Sequence, residues 1–232
     1  MTKQSCLVTA MIAFAAALGL SGANAQDLDV EDWDYDQVYR GFSAAEFIGT
    51  SVEDENGDNI GEIEDLVIGS GGMIRQVVVE GDRDFRYRWR DLEMAGRNTV
   101  VVDVDINRNN SLEDVLANSV RNVLGEPANE PLPEDGWRIS ELLGDDARYG
   151  DREPFGQIDD VIFSPSGRIA AVVVEPDETG RDQGPYAWPF DEEAFRPSSR
   201  YYEVPFRVRD VREEVGPFEY EELENEIRPS SS

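Results

Sequence analysis

The chain has no histidine, one cysteine, and 21 lysines and arginines against 50 aspartates and glutamates. Each shortage excludes a chemistry. Without imidazole there is no histidine base and no zinc site built on imidazole nitrogen. The one cysteine is Cys6 and the one lysine is Lys3. Both fall in a leader with the order of a secretory signal. Lys3 is a short positive start, residues 7–20 are apolar, and Ala23-Asn24-Ala25 supplies small residues on both sides of a cleavage position before Gln26. Cleavage there is expected to leave 207 residues (232 less 25) with no thiol, no disulfide and arginine as the only side-chain cation. Ser–Lys chemistry goes with the leader. An uncleaved anchor, as in a membrane-attached subunit, is the alternative. Lys3 before the apolar run and the acids of residues 27–36 after it then still direct the chain outward.

Positive charge is scarce as well. The net charge is −29, and loss of Lys3 makes it −30. Such a chain repels phosphate backbones, so nucleic acid is excluded as a partner. Anionic membrane surfaces are excluded on the same ground, and no stable membrane association is expected once the leader is gone. The excess charge favours solubility and attracts unspecific cations or a basic partner.

What is abundant is repetition. Residues 46–80 align on residues 141–175, 95 positions further on, without a gap. Glu46 meets Glu141, Gly49 meets Gly144, Gly61 meets Gly156, Asp65 meets Asp160, and Val77-Val78-Val79-Glu80 meets Val172-Val173-Val174-Glu175. Glycines, apolar positions and a four-residue word in one register mark two copies of one module. Each copy reads as β. Residues 60–68 are rich in β-branched side chains, Ser70-Gly71-Gly72 and Ser164-Pro165-Ser166-Gly167 are turn chemistry, and residues 74–79 and 169–174 are return strands. Three consecutive valines require cover on both faces, which a small closed barrel provides. Residues 85–89 and 185–188 supply a third strand, and residues 99–103 and 201–204 a fourth.

The pattern resembles the PRC-barrel. In the first copy it runs through Glu46-Phe47-Ile48-Gly49, Ile60-Gly61 and Asp65-Leu66-Val67. In the second it runs through Ser140-Glu141-Leu142-Leu143-Gly144, Phe155-Gly156, Asp160-Val161 and Tyr186-Ala187-Trp188-Pro189. Tryptophan precedes the proline in the last element, and the first copy has Arg88-Trp89-Arg90 there with no proline. The resemblance implies a mainly β protein of two small barrels in tandem with short capping helices. It also implies a role in binding and positioning macromolecules. Relatives include the cytoplasmic domain of the photosynthetic reaction-centre H subunit and the C-terminal domain of the ribosome-maturation factor.

The expected organisation is a signal peptide (1–25), an acidic segment (26–43), a first barrel (44–106), a helix and Pro/acid-rich linker (107–136), a second barrel (137–216), and an acidic C-terminal helix and tail (217–232). Apolar residues at 112, 115, 116, 120, 123 and 124 predict a helix that plugs the first barrel. Tyr220, Leu223 and Ile227 predict a helix that caps the second. Residues 26–126 and 135–232 are expected to fold separately.

Candidate sites are few. Asp54, Asn56 and Asp58 alternate like calcium ligands, but the sixth position lacks glycine and the twelfth is Asp65 rather than glutamate. A hairpin loop turning at Asn56-Gly57 accounts for the same residues. Residues 103–111 repeat the oxygen-rich pattern without the glycine, and Ser111 suits a helix cap. Fifty acids place carboxylates near one another everywhere, so a carboxylate hydrolase has no distinguishing mark. Arg83, Arg86, Arg88 and Arg90 form a basic island, and strand alternation would put Arg86, Arg88 and Arg90 on one face. With Trp89, Tyr186 and Trp188 they form the candidate binding set, although both tryptophans also fit a barrel core. The expectation is an exported, periplasmic or extracellular interaction module without catalysis or cofactor and with a protein partner. A calcium-binding protein is the alternative.

The charge sets one prediction. The Debye length is about 30 Å at 0.01 M salt and about 8 Å at 0.15 M, so salt relieves most of the repulsion. Thermal scans should show the melting temperature rising with sodium chloride, and calcium at matched ionic strength should add nothing. A calcium-specific rise would promote Asp54, Asn56 and Asp58 to ligands.

Overall fold

The structure is a computed structural model. It describes residues 35–81, 84–95, 99–102, 126–149, 153–177, 184–192, 195, 201–204, 217–225, 227 and 228. The expected helix over 112–124 and the leader lie outside them. Helix α1 (Tyr35–Tyr39), strand β1 (Phe42–Ser43) and helix α2 (Ala44–Phe47) come first. The first sheet then takes β2 (Ser51–Glu53), β3 (Asn59–Gly69), β4 (Met73–Glu80), β5 (Phe85–Arg88), β6 (Leu92–Met94), β7 (Thr99–Val102) and β8 (Glu126–Pro127). After β9 (Trp137–Arg138), the second sheet takes β10 (Asp146–Tyr149), β11 (Pro154–Phe163), β12 (Ile169–Pro176), β13 (Tyr186–Trp188) and β14 (Tyr201–Val204). The strand orders are β6-β7-β2-β3-β4-β5-β8 and β13-β12-β11-β10-β14. The fold is mainly β, with curled sheets, as the resemblance implies.

The two hairpins share one register. Leu66 faces Val77 as Val161 faces Val172, and Asp65 faces Val78 as Asp160 faces Val173. Both ladders skip a residue between the same positions, Ile63 to Asp65 and Ile158 to Asp160. That bulge shifts the alternation, so Leu66 and Val161 join Ile63 and Ile158 in the main core. The valine triplets are buried on both faces, as three consecutive apolar residues demand. Val77, Val79, Val172 and Val174 belong to the main core, whereas Val173 faces a second, smaller core.

The halves are not self-contained. Strand β3 is longer than its neighbour β2, which pairs only with residues 59–62. The remaining edge at Val67 and Ile68 is filled by Arg138 and Trp137 from the other half. Reciprocally, Ile162 and Phe163 of β11 pair with Ser43 and Phe42. Each half therefore lends a two-residue strand to the other, and each loan covers an edge that would otherwise be open. Met73 and Arg168, 95 positions apart, bridge to each other where the hairpin turns meet. The lent strand then returns to its own sheet through a sharp bend. Gly49 and Gly144 make it with φ of 90° and 81°, and their N–H groups donate to the carbonyls of Ile63 and Ile158 at 2.7 and 2.8 Å. Positive φ is the glycine region, which explains why this residue ends the repeated motif.

Of the lent strands, β1 carries a large ring across to the other half. Phe42 lies against Phe163 at 5.6 Å and Trp89 at 5.9 Å between ring centroids, and Phe47 meets Trp89 edge-on. Trp137 packs on Phe195 at 4.4 Å and Phe190 at 6.2 Å. Burying each such ring contributes about 1.5–3 kcal/mol. One continuous core runs through both sheets. A boundary through residues 107–136 would separate each sheet from a two-residue strand in the other half, which argues against the expectation of separate folding. The C-terminal segment also differs from expectation. Among the described residues of that segment, Tyr220–Glu222 forms a 3-10 turn, and Leu223 and Phe218 pack with Val38 over Ile162, Ala171 and Val173 on the second sheet. A 3.6-residue spacing of three apolar side chains does not specify a helix when the chain follows a sheet face.

Gly61 and Gly156 yield the second prediction. A Cβ at either would sit 2.1 or 1.9 Å from the carbonyl oxygen of Glu80 or Glu175, and Gly61 also has φ of 149°. Positive φ occurs only at the first of the two, but close backbone approach occurs at both. Gly61→Val and Gly156→Val should each lower stability by more than about 1 kcal/mol in urea denaturation. Wild-type midpoints would show that the ladder yields without strain.

Candidate functional site

The arginine island is divided by the fold. Strand β5 ends at Arg88 and residues 89–91 form a 3-10 turn, so alternation does not carry through to Arg90. Arg86 faces Val78 across the ladder and is 2% exposed. Arg88 and Arg90 remain at the surface, where both reach Asp91, at 2.7 and 3.6 Å. Exposed pairs of this kind contribute little to stability. Trp89 is buried, and its indole N–H donates to the carbonyl of Ser166 at 3.2 Å. Tyr186 and Trp188 are buried with Phe155 in the second sheet. The six residues thus separate into two exposed cations and four buried side chains. The expected patch of all six is not present as a surface.

The Asp54 loop is a hairpin closed by its own side chain. Asp54 Oδ1 accepts from the N–H groups of Asn56 and Asp58 at 2.8 and 2.9 Å, and Oδ2 accepts from Asn56 Nδ2 at 3.1 Å. The bond from Asp58 N–H, followed by that from the Asn56 side chain, holds the Asp54 carboxyl below its usual range. Among the described residues no group of three His, Cys, Asp or Glu is placed to hold a metal.

The polar groups that the fold does bring together were not among the candidates. Asp65 and Asp160 are 3% and 1% exposed, each on the face that receives the other half's lent strand. Asp160 accepts from Ser43 Oγ at 2.5 Å, from Ala45 N–H at 3.0 Å and from its neighbour Val161 N–H at 2.7 Å. Asp65 accepts from Ser140 Oγ at 2.6 Å, Ser140 N–H at 3.2 Å and Leu66 N–H at 2.8 Å. Each carboxylate therefore caps the first turn of the other half's arm. Ser43 also caps its own turn by accepting from Glu46 N–H at 3.0 Å, and Glu141 accepts from Arg138 N–H at 3.1 Å.

The two locks are not equivalent. Arg138 Nη1 lies 3.5 Å from Asp65 Oδ2, whereas the matching residue beside Asp160 is Ser43. Burial pushes the Asp160 carboxyl up to about 6, against the three hydrogen bonds that favour the anion, and Asp159 adds to the rise. A signal for these residues existed, since Asp65 and Asp160 recur at one position of the repeat. Among 50 acids, it did not distinguish a buried aspartate from a solvated one.

Asp65→Ala should destabilise the protein by roughly 2–4 kcal/mol, because it leaves Ser140 and Arg138 without an acceptor in a half-buried site. Asp65→Asn should lose less, since its amide oxygen still accepts from Ser140 N–H. A double-mutant cycle with Ser140→Ala in urea should give a coupling above about 0.5 kcal/mol. Strict additivity would mean that the contact contributes nothing.

No curated protein matches the chain. The PRC-barrel domain matches residues 40–110, a span that opens just before the lent strand β1 and runs past β7. Over those residues the chain is similar to the PRC-barrel domain.

Proposed function

We propose that the protein carries a second PRC-barrel copy over residues 137–216 and acts, after export, by binding another protein rather than by catalysis. The observation that carries this reading is the shared register of the two hairpins together with the reciprocal loan of strands. That arrangement joins the two halves through residues at or beside the matched positions. Asp65, Asp160, Ser43, Ser140, Gly49 and Gly144 are all used in the joint. A joined body of this kind suits positioning a partner. The net charge of −29 favours a partner with a basic face and an association that weakens with salt. The signal-like residues 1–25 support export to the periplasm or beyond. Among the described residues, no helix is long and apolar enough to cross a membrane.

The test is crosslinking of the tagged full chain in the producing cell, followed by isolation from the periplasmic fraction. A discrete adduct that disappears as sodium chloride is raised before crosslinking is expected. Retention of the protein in the cytoplasm, or no adduct above the tag-only control, would contradict the proposal.

A further inference from the structure

The two locks differ in charge compensation, and that difference has a consequence for how the arms are held. Asp65 faces a guanidinium. Asp160 has hydrogen-bond donors only, and no cation pairs with it among the described residues. The titratable groups around it are themselves acidic or phenolic. Asp159 is its neighbour on β11, and Tyr220 approaches from the C-terminal segment. The Tyr220 hydroxyl donates to Asp159 Oδ2 at 3.0 Å. It is pushed upward, first by burial and then by Asp160 and Asp159, and so supplies no positive charge. A buried carboxylate without a cation is disfavoured as an anion, whereas a solvated one is not.

We propose that the Ser43–Asp160 contact is a pH-sensitive latch, which holds the arm of β1 and α2 more tightly onto the second sheet in mild acid than at neutral pH. The neutral acid can donate to Ser43 Oγ while its other oxygen still accepts from Ala45 N–H. Opening the arm frees the edge at Ile162 and Phe163 and the place of Phe42 between Phe163 and Trp89. The direction follows from linkage. The closed-state value of about 6 lies above the ordinary 3.8, so the stabilisation is full below about 3.8 and is lost as pH rises through 6. Between pH 5 and pH 7.5 the opening constant should rise about tenfold.

Hydrogen exchange of the full chain at those two pH values, corrected for intrinsic rates, reads this directly. Protection of residues 42–48 should fall about tenfold at pH 7.5, and protection of residues 137–143, held by the cation-paired Asp65, should fall less. Asp160→Asn should abolish the difference for residues 42–48. Equal protection of that segment at both pH values, an equal fall in both arms, or a pH dependence that survives Asp160→Asn would overturn the latch. If the variant does not fold, carboxyl carbon NMR of the wild type decides it. A titration midpoint for Asp160 near 6 supports the proposal, and one below about 4.5 overturns it.

Discussion

Everything distinctive in this molecule depends on a backbone loan, in which each half of the chain completes the other's sheet with two residues. The long strands Asn59–Gly69 and Pro154–Phe163 leave an edge uncovered beyond their own neighbours. An open β edge exposes unpaired N–H and C=O groups, so something must pair with it. The chain uses Phe42–Ser43 and Trp137–Arg138 for that purpose. The buried aspartates, the bends at Gly49 and Gly144 and the crossing aromatic rings all serve the same joint. Asp65 and Asp160 satisfy the turn that follows each lent strand, which a buried helix start requires.

The joint also explains why the two halves differ. Where the first copy has Asp65 beside Arg138, the second has Asp160 beside Ser43. One arm is held by a charge pair and the other by neutral donors. The outer face of the second sheet is covered by α1 and the C-terminal segment, which stacks Phe218 on Tyr39 at 5.2 Å. The two matched hairpins thus have unequal surroundings, and the buried aspartate without a cation lies on the side that receives the N-terminal arm.

Much of the fold was legible in the sequence because repetition separates constrained positions from free ones. The valine triplets, the turn residues and the glycines at 61 and 156 gave hairpins at nearly their true limits. The lent strands were not legible. A two-residue strand has no period to detect, and pairing with the far half leaves no local trace. Arg86, Arg88 and Arg90 do not form one surface, because Arg86 is buried opposite Val78 and a 3-10 turn begins at Trp89 before Arg90. Asp65 and Asp160 were visible as a matched pair. Their role depends on burial, and burial depends on the arm that pattern reading could not place.

The most direct test of the interlocked account is segment-resolved hydrogen exchange of the full chain through a urea gradient. The segments Met73–Glu80 and Ile169–Pro176 lie in different sheets but share one core. They should lose protection at one common midpoint, because each sheet takes a strand from the other half. Two separate midpoints, with one hairpin fully exchanged while the other stays protected, would mean that the lent strands are incidental and that the halves are independent domains.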